Sequence, residues 1–365
     1  MNDKLPRWVD LALIPLINLI LAFLVAGLVV VFIGEDPIQA VRLLLVGSLG
    51  SSYGIGFTLY YATTFVFTGL AVAIAFHAGL FNIGGEGQAA LGGIGATLVC
   101  LAFDWPHWTL ALPFAILGAC LFGAAWAFIP GYLQAKRGSH IVITTIMFNF
   151  IGAALVVYLL VNVLKVPGSM APETRNFAEG THLPFMHEIL GVFGVTISKT
   201  PLNLSAFLAL IGAFLTWLLI WRSRLGYEMR ALGFSEPAAV YAGIDPVRIT
   251  IIAMVLSGAM AGMMALNVVM GFQHRLVLDY VGGAGFVGIA VALMGRNHPV
   301  GVVIAAILFG ILYQGGAELA FDMPNISREM IVVIQALVIL FTGALENLVR
   351  FPMEKLFVKS GTRTG

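Results

Sequence analysis

From Leu11 to Ile33 the chain runs without a single Asp, Glu, Lys or Arg. A helix needs about 20 apolar residues to cross the hydrocarbon core of a bilayer, and this run is long enough. It exceeds the roughly 7–15 apolar residues of a signal-peptide core, and no A-x-A cleavage pattern follows it. The reading is a first membrane span, within 1–34. Comparable runs recur along the chain, and the spans are expected near 10–34, 57–78, 86–104, 109–133, 141–164, 202–221, 248–270, 283–295, 299–320 and 329–348. The eighth is short and rich in glycine, which suits a broken or re-entrant element. The stretch 36–50, within 35–56, reads as an amphipathic interfacial helix. The expected fold is therefore all-α and polytopic, with about ten transmembrane helices. It forms one transmembrane domain over 1–365, with a core at 57–348 and a tail at 349–365.

Composition agrees. The chain is 60% hydrophobic and only 10% charged, whereas soluble domains carry roughly 25% charged residues. A formal net charge of +1 gives no sign of a nucleic-acid partner. Cys100 and Cys120 both sit in apolar runs and read as helix-packing residues rather than a disulfide or metal pair. With the N-terminus inside, most of the 19 Lys and Arg fall on inside segments, as the positive-inside rule requires. That orientation puts 165–200 outside as the largest external loop and 222–248 inside as the largest cytoplasmic loop.

Several motifs resemble chemistry and fail on context. Gly283-Ala-Gly285-Phe-Val-Gly288 fits G-x-G-x-x-G, yet no strand precedes it and no βαβ unit surrounds it. Ala284, Gly288 and Ala292 instead recur every four residues, the small-residue pattern of close helix packing in membranes. No G-x-x-x-x-G-K-[ST] occurs, so the chain has no P-loop with which to hydrolyse ATP. The seven histidines show no metal-ligand spacing, and no nucleophile–base set suggests an enzyme. The segment 76–96, FHAGLFNIGGEGQAALGGIGA, is glycine-rich between two spans. It reads as a helix break, with one span ending near Gly79 and the next starting near Glu86, where a carboxylate complements the helix N-terminus.

Polar side chains inside spans are costly and mark a pathway by default. The candidates are His77, Asn82, Glu86, Gln88, Phe148, Asn149 and Asn267, with Gln273, Gln314 and Glu318 as weaker members; Phe76, Phe81 and Phe150 add aromatic faces. In the cytoplasmic loop, Ser235 suits an N-cap, Glu236 and Pro237 a first turn, and Gly243 the position past a helix end. A short capped helix, about Glu236 to Ala242, thus stands between Arg230 and Arg248 with Tyr241 near its end. It reads as a rigid knob for a cytoplasmic partner.

Four separated motifs, AGLFNIGGEGQAALGG, TTIMFNF, GFSEPAAVYAGI and GGAGFVGIAVALMGRNHPVG, resemble the permease subunits of ABC importers for nucleosides and simple sugars. That group lies within the superfamily of ribose and branched-chain amino-acid permeases. The resemblance covers roughly 40–348, and the glycines with Asn82 and Glu86 favour the nucleoside branch. It implies a permease in the bacterial inner membrane that forms the pathway for nucleosides, or for a simple sugar. It further implies a second permease, as a heterodimer or, alternatively, a homodimer. ABC ATPase subunits would bind the ATP and Mg, and an external lipoprotein would bind substrate; this chain would hold no cofactor. The knob would be the coupling helix, carried by Arg230, Ser235, Glu236, Pro237, Tyr241, Gly243 and Arg248. An ion-coupled secondary transporter is the competing reading, for which Glu86 and Glu318 are the credible buried acids.

Overall fold

A computed structural model describes residues 6, 9, 13–323, 325, 326, 328–341 and 349–353. The start of the first expected span, the end of the tenth and most of the tail lie outside the described residues.

Helices dominate the described residues, which include only isolated bridges and no strands. In chain order the helices are α1 (Ile14–Phe32), α2 (Pro37–Leu49), α3 (Ser52–His77), α4 (Gly85–Ala102), α5 (Trp108–Arg137), α6 (Ile141–Leu159), α7 (Met186–Val192) and α8 (Ser205–Trp217). They continue with α9 (Arg224–Phe234), α10 (Glu236–Tyr241), α11 (Pro246–Gly262), α12 (Ala284–Met294), α13 (Pro299–Asp322) and α14 (Arg328–Ile339). π-helical turns extend α6 over Leu160–Leu164 and α8 over Leu218–Arg222. Another occupies Leu266–Gln273 after α11.

Among the described residues, 6 helical stretches are long and apolar enough to cross a membrane, or 7 if α1 and α2 count as one bent span. Each of the ten expected spans coincides with a helix, and those outside the 6 are shorter or less apolar over the described residues for physical reasons. At 11 residues, α12 rises only about 16 Å, half of the roughly 30 Å core. It is a half-span. α4 is diluted by glycine, and α14 runs toward residues that are not described. α2 does form over almost the expected range, with Asp36 capping the Ile38 amide at 2.8 Å. It turns 118° from α1, and Ala40, Leu44 and Ser48 are buried.

The chain forms two compact units. One comprises Met1–Gly54 and Ile311–Gly365, with a core of Ala26, Val30, Leu319, Met323, Ile331 and Ile334. The other, Ile55–Gly310, holds the features that matter for function. At its centre α4, α5 and α11 meet backbone to backbone. A methyl on Gly258 would strike the Gly123 carbonyl, and one on Gly92 would strike the Gly262 Cα. Small residues permit that approach, and packing of this kind substitutes for the hydrophobic effect where the solvent is lipid. The 165–204 segment is structured, with a bridge between Glu173 and Val277, another between Phe185 and Asn203, and α7.

Candidate functional site

The glycine-rich segment is a helix break. α3 ends at His77, Gly79 takes a left-handed φ of 74°, and α4 begins at Gly85. Between them the chain is held by side chains. Asn82 donates to Gln88 Oε1 at 2.9 Å and to Ser257 Oγ at 2.8 Å, and its oxygen accepts from Gly84 N and Gln88 Nε2. Ser257 in turn donates to the Ala71 carbonyl at 2.6 Å. The break is thereby tied to α3, α4 and α11 at one buried point. Asn149 on α6 accepts from Gly87 N and donates to Ile83 O, both at 2.9 Å. Every hydrogen-bonding direction of Asn82 is in use, as burial of a polar group demands.

Glu86 departs from expectation. Rather than serving the amides of its own helix, it caps another: its two oxygens accept from Gly283 N and Gly285 N, each at 2.8 Å. These are the first amides of α12, so the carboxylate meets the positive end of that helix. The two N-termini touch so closely that a methyl on Gly285 would overlap the Glu86 backbone. Two interrupted helices thus start from one point, bridged by one carboxylate.

Beside this junction lies a cavity of about 280 Å³. Glu86, Gly87, Asn149, Asp279 and Tyr280 give it polar edges, and Ala153, Val156, Val157 and Leu278 give it apolar walls. Tyr280 is anchored by donating to the Ala89 carbonyl. Of the residues proposed from sequence, Asn82, Glu86, Gln88 and Asn149 are brought together, and Glu86 and Asn149 border the cavity. Phe148 packs against Trp126 with ring centroids 5.2 Å apart.

The others belong to separate networks. His77 Nε2 lies 3.0 Å from the Asn297 carbonyl, and its ring meets Trp221 edge-on. Asn267, in the π-helical turn after α11, donates to Tyr60 O and Thr64 Oγ1 and accepts from Asn203 and Ser205. Phe76 packs edge-on against Phe81, and Gln314 donates to Glu318 at 3.0 Å. Ser257, Asp279 and Tyr280 were not anticipated. The glycines at 282, 283 and 285 that follow Asp279 and Tyr280 were a usable signal for a helix start.

In the 222–248 loop, Ser235 caps the Ala238 amide at 3.4 Å and Gly243 has φ +80° beyond the end of α10. Asp245 caps α11 through Val247 N and Arg248 N. The helix projects outward, with Glu236, Pro237 and Arg248 exposed and Phe234 and Tyr241 each 96% exposed. Its inner face is anchored through Ala239, which is buried in one cluster with Ala78, Leu80, Met229 and Leu232. Arg230 is half-buried.

Similarity to known proteins extends over nearly the whole chain. It is 37% identical over 347 residues to a guanosine ABC transporter permease protein of Bacillus subtilis (strain 168), covering 94% of this chain and 96% of that protein. It is 32% identical to a nucleoside ABC transporter permease protein of Lactococcus lactis subsp. cremoris (strain MG1363), over 99% of this chain and 96% of that one. A glucose ABC transporter permease protein of Haloferax volcanii is 31% identical over 98% of this chain and 93% of its own length. Residues 54–343 match the family described as branched-chain amino acid transport system / permease component. The apolar helices, the paired helix breaks and this match identify the chain as a multi-pass membrane transport component, a member of that ABC permease family.

Proposed function

We propose that this chain is one of two permeases in a bacterial inner-membrane importer, forming the pathway for nucleosides delivered by an external lipoprotein. The observation that carries the substrate is the end-to-end similarity to permeases named for guanosine and for nucleosides. A simple sugar is the second reading, favoured by the glucose permease relative. The partner permease would be a shorter homologue in a heterodimer. Separate ATPase subunits would bind ATP and Mg and supply the energy, this chain binding neither. Ion coupling finds little support, since both Glu86 oxygens are committed to backbone amides.

In this reading α10 is the coupling helix, with Ser235, Glu236, Pro237, Tyr241 and Gly243 presenting it and Arg230 and Arg248 flanking it. Closure of the ATPases would push α10 and rock the permeases between two states. Reconstitution with the ATPase, partner permease and lipoprotein tests this. ATP-dependent uptake of a ribonucleoside is the expected result. Loss of uptake to a protonophore at constant ATP would overturn it. Glu236→Lys and Pro237→Gly should each cut uptake by about tenfold while leaving lipoprotein affinity unchanged; normal uptake in both would remove the coupling assignment.

A further inference from the structure

The polar groups around the cavity are nearly all committed elsewhere. Glu86 holds two amides of α12, Asn149 spans Gly87 and Ile83, and the Tyr280 hydroxyl is given to Ala89. Asp279 differs. It is exposed on the cavity wall, and its carboxylate holds no hydrogen bond or ion pair among the described residues. Arg275, the cation of the same loop, is taken by Glu173 at 3.2 Å. The backbone at Asp279 is left-handed, φ 54°, a region that Asp tolerates better than most residues. Its carbonyl accepts from Gly282 N at 3.1 Å, which closes the turn.

We propose that Asp279 is the residue with which this cavity reads its cargo, by accepting hydrogen bonds from vicinal hydroxyls of a sugar ring. An ionised carboxylate is an acceptor only, with two oxygens to fill. A base edge can offer N–H donors to such a group, but glucose, named for one relative, carries no base, so an acceptor common to both cargoes must find its donors on the sugar. A vicinal diol offers two donors side by side, and bonds from a hydroxyl to a charged oxygen are the stronger kind. The apolar walls suit the remainder of the ligand. Guanosine and glucose, named for two of the relatives, have that hydroxylated ring in common and little else. The assignment rests on the transport reading above and narrows it: the pathway recognises the sugar half, which explains how similar permeases serve nucleosides and glucose.

The test uses the whole importer in proteoliposomes, with lipoprotein saturated by a ribonucleoside or by its 3′-deoxy analogue. The variants are Asp279→Gly, which keeps the left-handed backbone, and Asp279→Asn, which keeps the shape but not the charge. The wild type should move the ribonucleoside about tenfold faster than the analogue, and both variants should bring that ratio close to one by slowing the ribonucleoside. Asp279→Glu should restore part of the preference. Variants that keep the wild-type ratio overturn the assignment. Should Asp279→Gly fail to assemble, Asp279→Asn carries the same comparison. A wild-type importer that moves neither a nucleoside nor glucose overturns the transport reading itself, so the two failures are distinct.

Discussion

Asn82 and Glu86 show how two side chains hold a helix break open. An interrupted helix leaves unpaired amides and carbonyls, and in a bilayer no water is at hand to satisfy them. Asn82 supplies the turn before α4, and Glu86 supplies the start of α12. Replacing Asn82 by Leu strands Gln88 Nε2 and the Gly84 amide. Each stranded group should cost about 1–3 kcal/mol, seen as a lowered melting temperature of the purified protein in detergent. Glu86→Ala removes two bonds to a charged acceptor, each worth about 1.5–3 kcal/mol. It should release the turn before α12, read as faster hydrogen exchange at Gly283 and Gly285.

At the scale of elements, the 165–204 segment and the turn after α11 lock through two histidines. The rings of His182 and His274 stack with centroids 3.7 Å apart, and each ring nitrogen bond goes to a carbonyl, Phe177 and Met270 respectively. Burial, reinforced by the neighbouring His182, pushes the His274 imidazole from 6.5 down to about 4. The unfolded segment therefore takes up its proton first as the medium acidifies. The contribution of this contact is intact above about 6.5 and drains away as pH falls through about 4. Hydrogen exchange across 177–188 and 274–277 should accelerate over that interval, and His274→Gln should flatten the response.

Across the Ile55–Gly310 unit, the projecting helix is continuous in packing with the break. Gly233, at the end of α9, lies against the main chain of His77 to Gly79. A methyl there would strike the His77 carbonyl and come within 2.8 Å of the Gly79 amide. Ala239 of α10 shares a cluster with Ala78 and Leu80. A push on α10 would thus reach, through Ala239 and the adjoining Gly233 backbone of α9, the segment that leads through Asn82 to α4, α11 and, by Glu86, α12. Coupling along this route is read from substitutions at its contacts. Gly233→Ala should lower the number of substrates moved per ATP severalfold while leaving complex assembly intact. Equal losses of uptake and ATP turnover would instead mark Gly233 as structural.

Much of this was legible in the chain. Long uncharged runs fix helices in lipid, because only a helix satisfies its own backbone there; α3, α5, α6, α11 and α13 fall where those runs lie. Local capping chemistry marked α10 through Ser235 and Gly243, since caps act over three or four residues. The same local reading gave Glu86 to its own helix, whereas its partners are 197 and 199 residues away. Asn82's bond to Ser257, 175 residues distant, and the place of Asp279 on the cavity wall were equally out of reach. Lipid as the solvent, the helices, the break and the exposed knob could all be read along the chain, because hydropathy and capping are short-range. Which polar groups are spent on one another emerges only on folding, because glycine-lined contacts bring distant segments together and carry no periodic signal of their partner.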